Sequence, residues 1–352
     1  MNLTVISETN ADSAWRAAAR TLAARGSIEE SRIGSTRELR PVVIELSDPR
    51  DRAVFARPIN PAFAIAEVIW ILSGSNDAAF LTAWNSRMAT FVDEGFDTLH
   101  GAYGFRLGSN PRLSKRAVGT LKSSLSSRID QMKRAAEILE NQPVSRQVVL
   151  QIWDKDLDLP DPSPRSLDVP CNLVSHLLVR NRRLEWFQVM RSTDLVWGLP
   201  YNLIQWTSLQ EVIAGWLGLK QGTFTYVTNS LHVYQRHWNE LAGWIAAPLR
   251  NPVGIPGKLS VRSYPRWQRT ISRLVDVALD ITEANSTSRV TAAWKRSRGL
   301  REGYREWSAV LAAEASRRLG DDATARAIVE HAGAYWATSW LQWANSRAKT
   351  RS

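Results

Sequence analysis

The only cysteine of the 352-residue chain, Cys171, stands in Val169-Pro170-Cys171-Asn172, after a loop rich in Asp and Pro. A lone cysteine is by itself commonly a small buried hydrophobe. Its surroundings point to chemistry. Twenty residues further on comes Met190-Arg191-Ser192-Thr193-Asp194, followed by Trp197-Gly198-Leu199-Pro200-Tyr201-Asn202. A thiolate forms more readily beside an Arg, and the thiolate is the nucleophilic form. A second candidate is Glu67, the one acid in the apolar run Phe63 to Leu72. A buried acid is costly unless it is hydrogen-bonded or functional. One cysteine excludes an intrachain disulfide and a cysteine-based metal site, and no metal is expected. A reducing cytoplasm is the expected compartment.

These residues must be positioned by regular elements. Asp12 to Ala24 reads as a helix stopped by Gly26, and Ser31 to Leu39 as a polar turn-like stretch. Pro41 to Leu46 reads as a strand. Pro61 to Leu72 reads as a buried helix, and a further helix follows Asp77 through Trp84. Leu113 to Asn141 is mostly helical in pattern. Arg146 to Trp153 alternates like a strand, and Leu173–Val179 and Leu184–Val189 read as a hairpin turning at 180–183. Pro200 to Leu217 is a helix with Pro in its first turn, where a missing N–H costs nothing. Thr223 to Tyr234 reads as one strand, on which His232 and Tyr234 face the same side. Beyond Pro265 the pattern is helical over roughly 266–283, 289–318 and 321–347. The Pro- and Gly-containing stretch 252–265 is the expected boundary between residues 1–255 and a helical extension, 256–352. The fold class is therefore α/β, of the α+β type: a large mixed sheet with flanking helices, plus that all-helical extension.

Charge says little about the first part. Of the 45 basic residues 37 are Arg, against 34 acids, for a net charge of +11. Residues 260–352 hold 16 basic and 9 acidic side chains, so much of the excess lies in the extension. Asn10, Asp12 and Arg16 interrupt any early apolar run, so no signal peptide is expected. No apolar run approaches a membrane span, which needs about 18 residues.

The spaced motifs resemble one family. Arg191-Ser192-x-Asp194 with Gly198-Leu199-Pro200-Tyr201-Asn202 resembles the nucleotide-binding core of the thymidylate synthase family, which includes pyrimidine-nucleotide hydroxymethylases. Pro170-Cys171 resembles its nucleophile motif and Leu231-His232-Val233-Tyr234 its sugar-binding motif. Ala66-Glu67 through Gly74 resembles its acid-bearing helix. Gly101-Ala102-Tyr103-Gly104 resembles its tyrosine loop, and Arg32-Ile33-Gly34-Ser35-Thr36 its phosphate loop. Six motifs in this order cover roughly residues 30 to 240.

The resemblance implies one-carbon transfer from 5,10-methylenetetrahydrofolate, as co-substrate, to C5 of a pyrimidine nucleoside 5′-monophosphate. C5 of the ring is a poor nucleophile until a thiolate adds at C6, and Cys171 would supply it. Arg32, Arg191, Ser192 and, across a homodimer, Arg146 would hold the phosphate, because planar guanidinium donors suit phosphate oxygens. Glu67 would organise water and proton transfers, and Tyr103 would assist loss of the C5 proton. His232 and Tyr234 would hold the sugar 3′-hydroxyl, and Asp194 would contact the folate. Asn202 would read the base. A carboxamide matches N3–H and O4 of uracil, although a flipped amide could serve cytosine, and capping the helix after Pro200 is the alternative role.

Three departures bear on the product. Asn172 follows the nucleophile where thymidylate synthases usually have His. The family's Trp before the tyrosine loop is replaced by Met88 or Phe91. The family's closing C-terminal tail is not recognisable. A wetter site favours hydroxymethylation over reductive methylation, which needs water excluded. A thymidylate synthase with a divergent lid is the alternative. A non-catalytic nucleotide- or RNA-binding protein is a third reading, with Trp267, Trp294, Trp307, Trp336, Trp340 and Trp343 on the basic helices. Trp336, Trp340 and Trp343 recur at helical spacing, however, which favours packing over nucleic-acid binding.

Overall fold

The computed structural model describes residues 3–108, 129–159, 166–248 and 254–349. Six strands form the main sheet, in the order β1 (Thr4–Glu8), β4 (Val42–Leu46), β9 (Lys220–Thr228), β7 (Arg183–Met190), β6 (Asn172–Arg180) and β5 (Val149–Gln151). The β1–β4 and β7–β9 pairs are parallel and the other three antiparallel, so the sheet is mixed. A second sheet runs β2 (Ser27–Ser31), β3 (Gly34–Leu39), β10 (Leu231–Tyr234), β8 (Thr193–Asp194). The β6–β7 turn holds Asn181 at φ 50° and Arg182 at φ 55°, the pair of left-handed residues that a two-residue hairpin turn requires.

Four local readings are corrected. Residues 31–39 are not a turn: with 27–30 they form the β2–β3 hairpin. Its β2 arm, Ser-Ile-Glu-Glu-Ser, is exposed almost throughout, so no apolar alternation marks it. Residues 223–234 are not one strand. The chain leaves the main sheet after Thr228 and enters the second at Leu231, because the Ser230 carbonyl accepts the N–H of Thr193 at 2.7 Å and so draws β8 alongside β10. The stretch 289–318 is two helices, α10 (Thr287–Lys295) and α11 (Glu302–Arg318), and 321–347 is α12 (Asp322–Val329) and α13 (Gly333–Lys349). Residues 113–128 of the expected 113–141 helix lie outside the described residues, and Gln131–Asn141 is helical as α5.

Two helices define the interior. In α7 (Leu199–Leu217) every residue except Leu217 is buried. In α2 (Pro61–Leu72), Asn60 caps the first turn by accepting the Phe63 N–H at 3.1 Å, and every residue except Glu67 is buried. Each fully buried Ile, Leu or Phe here contributes about 1.5–3 kcal/mol. Helix α2 packs against α7 on one side and against α9 (Tyr264–Glu283), α11 and α13 on others. The C-terminal helices thus close over the same core. Trp267, Trp307, Trp336 and Trp340 are buried in it, which removes them as base-stacking surfaces. Tyr335 Oη donates to Asp51 at 2.9 Å and accepts the Ala53 N–H at 2.6 Å. Among the described residues no helix is long and apolar enough to cross a membrane.

One buried ion pair ties these layers. Arg52, 1% exposed, donates to Ser208 Oγ at 2.7 Å and to a carboxylate oxygen of Glu211 on α7. The other oxygen of Glu211 accepts the Leu259 N–H at 3.0 Å, where the chain turns toward the C-terminal helices. Removing Arg52 leaves the Glu211 charge buried with only Arg50, 3.7 Å away, to balance it. Arg52→Ala is expected to lower the unfolding free energy by about 3–5 kcal/mol, read by denaturant unfolding. A loss below about 1 kcal/mol would mean the pair is dispensable.

Candidate active site

Strand pairing places Cys171. Cys171 immediately precedes β6, and Asn172 faces Met190 at the end of β7. The Arg191 N–H donates to the Cys171 carbonyl at 2.8 Å. The Arg191 guanidinium donates to the carbonyls of Pro170 and Val169, each at 3.0 Å, and lies 3.4 Å from Ser192 Oγ. Ser192 Oγ in turn is 3.8 Å from Cys171 Sγ. Cysteine, hydroxyl and guanidinium therefore share one half-open patch. Asn172 is fully buried, and its Oδ1 accepts from Gln188 at 2.9 Å.

The opposite wall comes from α2, α7 and α4 (Tyr103–Arg106). Burial pushes the Glu67 carboxyl up to about 7, against a hydrogen bond from Gln205 and with the charge of Asp168 adding to the rise. Glu67 Oε2 is buried without a hydrogen-bond partner. Asp168 is also pushed up to about 7, by burial, although the Gly101 N–H donates to it at 2.8 Å. Two carboxyls on this side of the site thus ionise near neutrality. Burial, then the negative charges of Cys171, Asp168 and Glu67, raises Tyr103 well above its ordinary range, so it stays a neutral phenol. Its ring lies 5.5 Å from that of Trp206.

Close backbone approach explains the glycines around Tyr103. A Cβ on Gly104 would lie 2.1 Å from the Ile71 carbonyl oxygen of α2, and one on Gly101 2.6 Å from the carbonyl oxygen of Asp168. A further clamp holds this loop. Arg106 grips both oxygens of Asp158 at 2.6 and 2.8 Å, and His100 Nε2 lies 2.8 Å from the same carboxylate. Burial opposes charge on Asp158, but these partners and the Asp154 N–H outweigh it and hold its carboxyl below the usual range. His100 is thus a structural pin.

Asn202 on α7 meets the main sheet at Tyr226, and His232, Tyr234 and Asp194 lie on the second sheet. Asn202 lies inside α7, whose N-cap is Gly198, so Asn202 is not a cap, and its Nδ2 donates to Tyr226 Oη at 2.9 Å. His232 pairs in register with Asp194 on one side and Glu38 on the other. Its Nδ1 is 3.3 Å from Ser230 Oγ, whose own proton goes to Glu38. Nδ1 therefore carries a proton and Nε2 is left as an acceptor. Burial lowers the His232 pKa despite the charges of Asp194 and Glu38, so the ring is neutral. Tyr234 is raised, by burial and then the charge of Asp194. Asp194 Oδ1 accepts the N–H groups of Val196 and Trp197 at 2.6 and 3.0 Å.

Cys171, Arg191, Ser192, Glu67, Tyr103, Asn202, Asp194, His232 and Tyr234 are brought together. Arg32 and Arg146 are not. Arg32 is exposed at the tip of the β2–β3 hairpin, and Arg146 is exposed ahead of edge strand β5. Sequence reading missed Asp168, Gln205 and Tyr226. Asp168 was hidden in a polar loop. Asn202 and Gln205, three apart near the start of α7, were the available signal for a polar stripe. Among the described residues no cluster of His, Cys, Asp and Glu could hold a metal ion.

Residues 21–263 match the family model described as thymidylate synthase. A deoxyuridylate hydroxymethyltransferase of Bacillus phage SP01 is 35% identical over 217 residues, 61% of this chain and 54% of the relative. Another, of Pseudomonas phage M6, is 31% identical over 206 residues, 57% of this chain and 53% of the relative. The matched region spans about half the length of either relative. With residues 21–263, well over half of its length, matching the family model, the chain belongs to the thymidylate synthase family.

Proposed function

We propose that this protein hydroxymethylates C5 of dUMP, using 5,10-methylenetetrahydrofolate. The observation that carries the reading is the convergence of Cys171, the proton-holding carboxyls of Glu67 and Asp168, and Asn202 around Tyr103 and Tyr226. Cys171 adds to C6 of the ring, which makes C5 nucleophilic. Negative charge then develops at O4, and a carboxylic acid that keeps its proton near neutrality is suited to meet it. Tyr103, held neutral, acts through hydrogen bonds to water at the C5 proton. Arg191 and Ser192 hold the phosphate; Arg32, exposed at the hairpin tip, would have to fold over it to join them. His232 Nε2 accepts the sugar 3′-hydroxyl proton, with Tyr234 beside it.

The folate side fits the residues present. With Asp194 Oδ1 bound to two backbone N–H groups, its other oxygen takes no protein partner among the described residues. Trp197, 40% exposed on the same turn, offers a flat wall under the Arg57 and Arg87 guanidinium groups. When bound, methylenetetrahydrofolate supplies the one-carbon unit at the oxidation level of formaldehyde. Water completes the hydroxymethyl group, so atoms balance without a reductant. Buried Glu67 Oε2, Gln205 Oε1 and Asn172 Nδ2 have no protein partners, as expected of a site that holds water. The viral relatives carry this activity in their names.

A homodimer accounts for Arg146. The main-sheet face bearing His176, Glu185, Phe187 and Thr225 is left open by the described helices, and Phe187 is 43% exposed. A second copy on that face would bring its Arg146 to the phosphate.

Incubation with methylenetetrahydrofolate and each of dUMP, UMP, dCMP and CMP, followed by product mass, tests the reading. dUMP should gain a hydroxymethyl group. A methyl gain instead would make the protein a thymidylate synthase, and no product from any of the four would remove the enzyme reading. Cys171→Ser should give no product.

The pH dependence is also set. Glu67 and Asp168 each hold a proton below about 7 and lose it above. If the acid form is needed, kcat/KM should fall as pH rises through that value. Glu67→Gln should abolish this limb and cut kcat by about 10²–10⁴. A limb that survives in Glu67→Gln assigns the proton elsewhere. Asn202→Asp should move preference from dUMP toward dCMP, measured as the ratio of kcat/KM values. An unchanged ratio would mean that Asn202 does not read the base.

A further inference from the structure

We propose that Tyr226 fixes which way round the Asn202 carboxamide stands, and so makes the site select uracil over cytosine. The proposal rests on the reading that Asn202 meets the base of a pyrimidine nucleotide. It follows from counting protons along one buried chain of hydrogen bonds.

The chain starts at the Ser230 backbone carbonyl, which can only accept. It takes the Thr193 N–H at 2.7 Å and the Thr228 hydroxyl at 3.0 Å. Thr228 has one hydroxyl proton, now used, so at 3.1 Å it must accept from Thr193 Oγ1. Thr193 has then used its own proton, so at 2.8 Å it must accept from Tyr226 Oη. Tyr226 has then used its proton as well. The remaining contact, 2.9 Å to Asn202, can be made only by an N–H of the amide. Thr193, Tyr226 and Thr228 are buried, at 2%, 0% and 0% exposure, so no solvent can supply a missing donor.

This ordering settles an ambiguity that the residue type leaves open. An Asn in either orientation offers one donor and one acceptor. Uracil presents N3–H and O4, a donor and an acceptor. Cytosine presents N3 and an exocyclic amine, the reverse pattern. To serve cytosine the amide would have to flip, which would set Oδ1 against the lone pairs of Tyr226. Relieving that clash would require reversing every proton back to a carbonyl that has none to give. Tyr226, Thr193 and Thr228 are positioning residues that act through Asn202.

The test compares native protein with Tyr226→Phe and Thr228→Val. For each, the kcat/KM values and the equilibrium affinities for dUMP and dCMP are measured. Tyr226→Phe removes the acceptor that anchors the amide. Thr228→Val keeps the shape but lets Thr193 turn its proton toward Tyr226, which can then donate to Asn202. A buried group left unpaired costs enough for the dUMP-to-dCMP ratio to fall roughly ten- to a hundredfold in each variant. A packing role alone would lower both substrates together and leave the ratio unchanged. That result in a folded variant overturns the proposal. Should Tyr226→Phe fail to fold, Thr228→Val decides alone. Native protein that prefers dCMP overturns the relay while keeping the pyrimidine-nucleotide reading. Native protein that binds neither nucleotide overturns that reading and the relay with it.

Discussion

The structure turns on a polar site built in the protein interior. Helix α7 is buried on every side, yet it carries Asn202, Gln205, Ser208, Gln210 and Glu211. An unpaired polar group there costs about 1–3 kcal/mol, so each must be given a partner with the right donor or acceptor sense. Gln210 is spent on the carbonyls of Leu184 and Gly222, and Glu211 on Arg52 and Leu259. Toward the N-terminus of the helix the pairing stops short of completion. Gln205 Oε1 has no partner, nor does Glu67 Oε2 facing it.

The same constraint explains the loops. Tyr103 is useful only if its hydroxyl stands among Cys171, Glu67 and Asp168, and its own helix is a single turn. Rigidity comes from neighbours. Asp168 accepts the Gly101 N–H, Arg106 and His100 hold Asp158, and two glycines let backbone meet backbone. Asp168 and Asp158 differ accordingly. Asp158, gripped by a guanidinium on both oxygens, is a fixed anion. Asp168 takes one N–H in a dry setting and keeps its proton to about 7. Two carboxylates ten residues apart are thus sorted into a structural and a chemical role by their partners.

What could be read from the sequence follows the same division. Cys171, Arg191, Asn202 and His232 lie in short contiguous motifs whose residue types declare their chemistry, and the structure brings them together. Glu67 declared itself as a lone charge on an apolar helix. Asp168 and Tyr226 could not be read this way. An Asp in a polar loop and a Tyr in a strand have ordinary local reasons to be there, and their significance lies in contacts made across the fold. The β2–β3 hairpin escaped because strands exposed on both faces carry no alternation. The β9–β10 junction escaped because both halves alternate, and only their partners, β4 and β7 for β9 against β3 and β8 for β10, show that they belong to different sheets.

The C-terminal helices, whose excess charge first suggested a nucleic-acid surface, belong to the same account. Arg317 and Arg318 are both turned onto buried Glu314, and Arg318 also caps α3 (Ala78–Trp84) through the carbonyls of Ala83 and Trp84. Those contacts fasten α11 beside α2. With α7 on its inner side and α9, α11 and α13 behind it, α2 meets water nowhere along its apolar surface. Desolvation is the largest cause of the raised pKa of Glu67. Helices that lie far from Cys171 in sequence therefore help to keep a proton on the acid opposite it, by excluding water from the back of the helix that carries that acid.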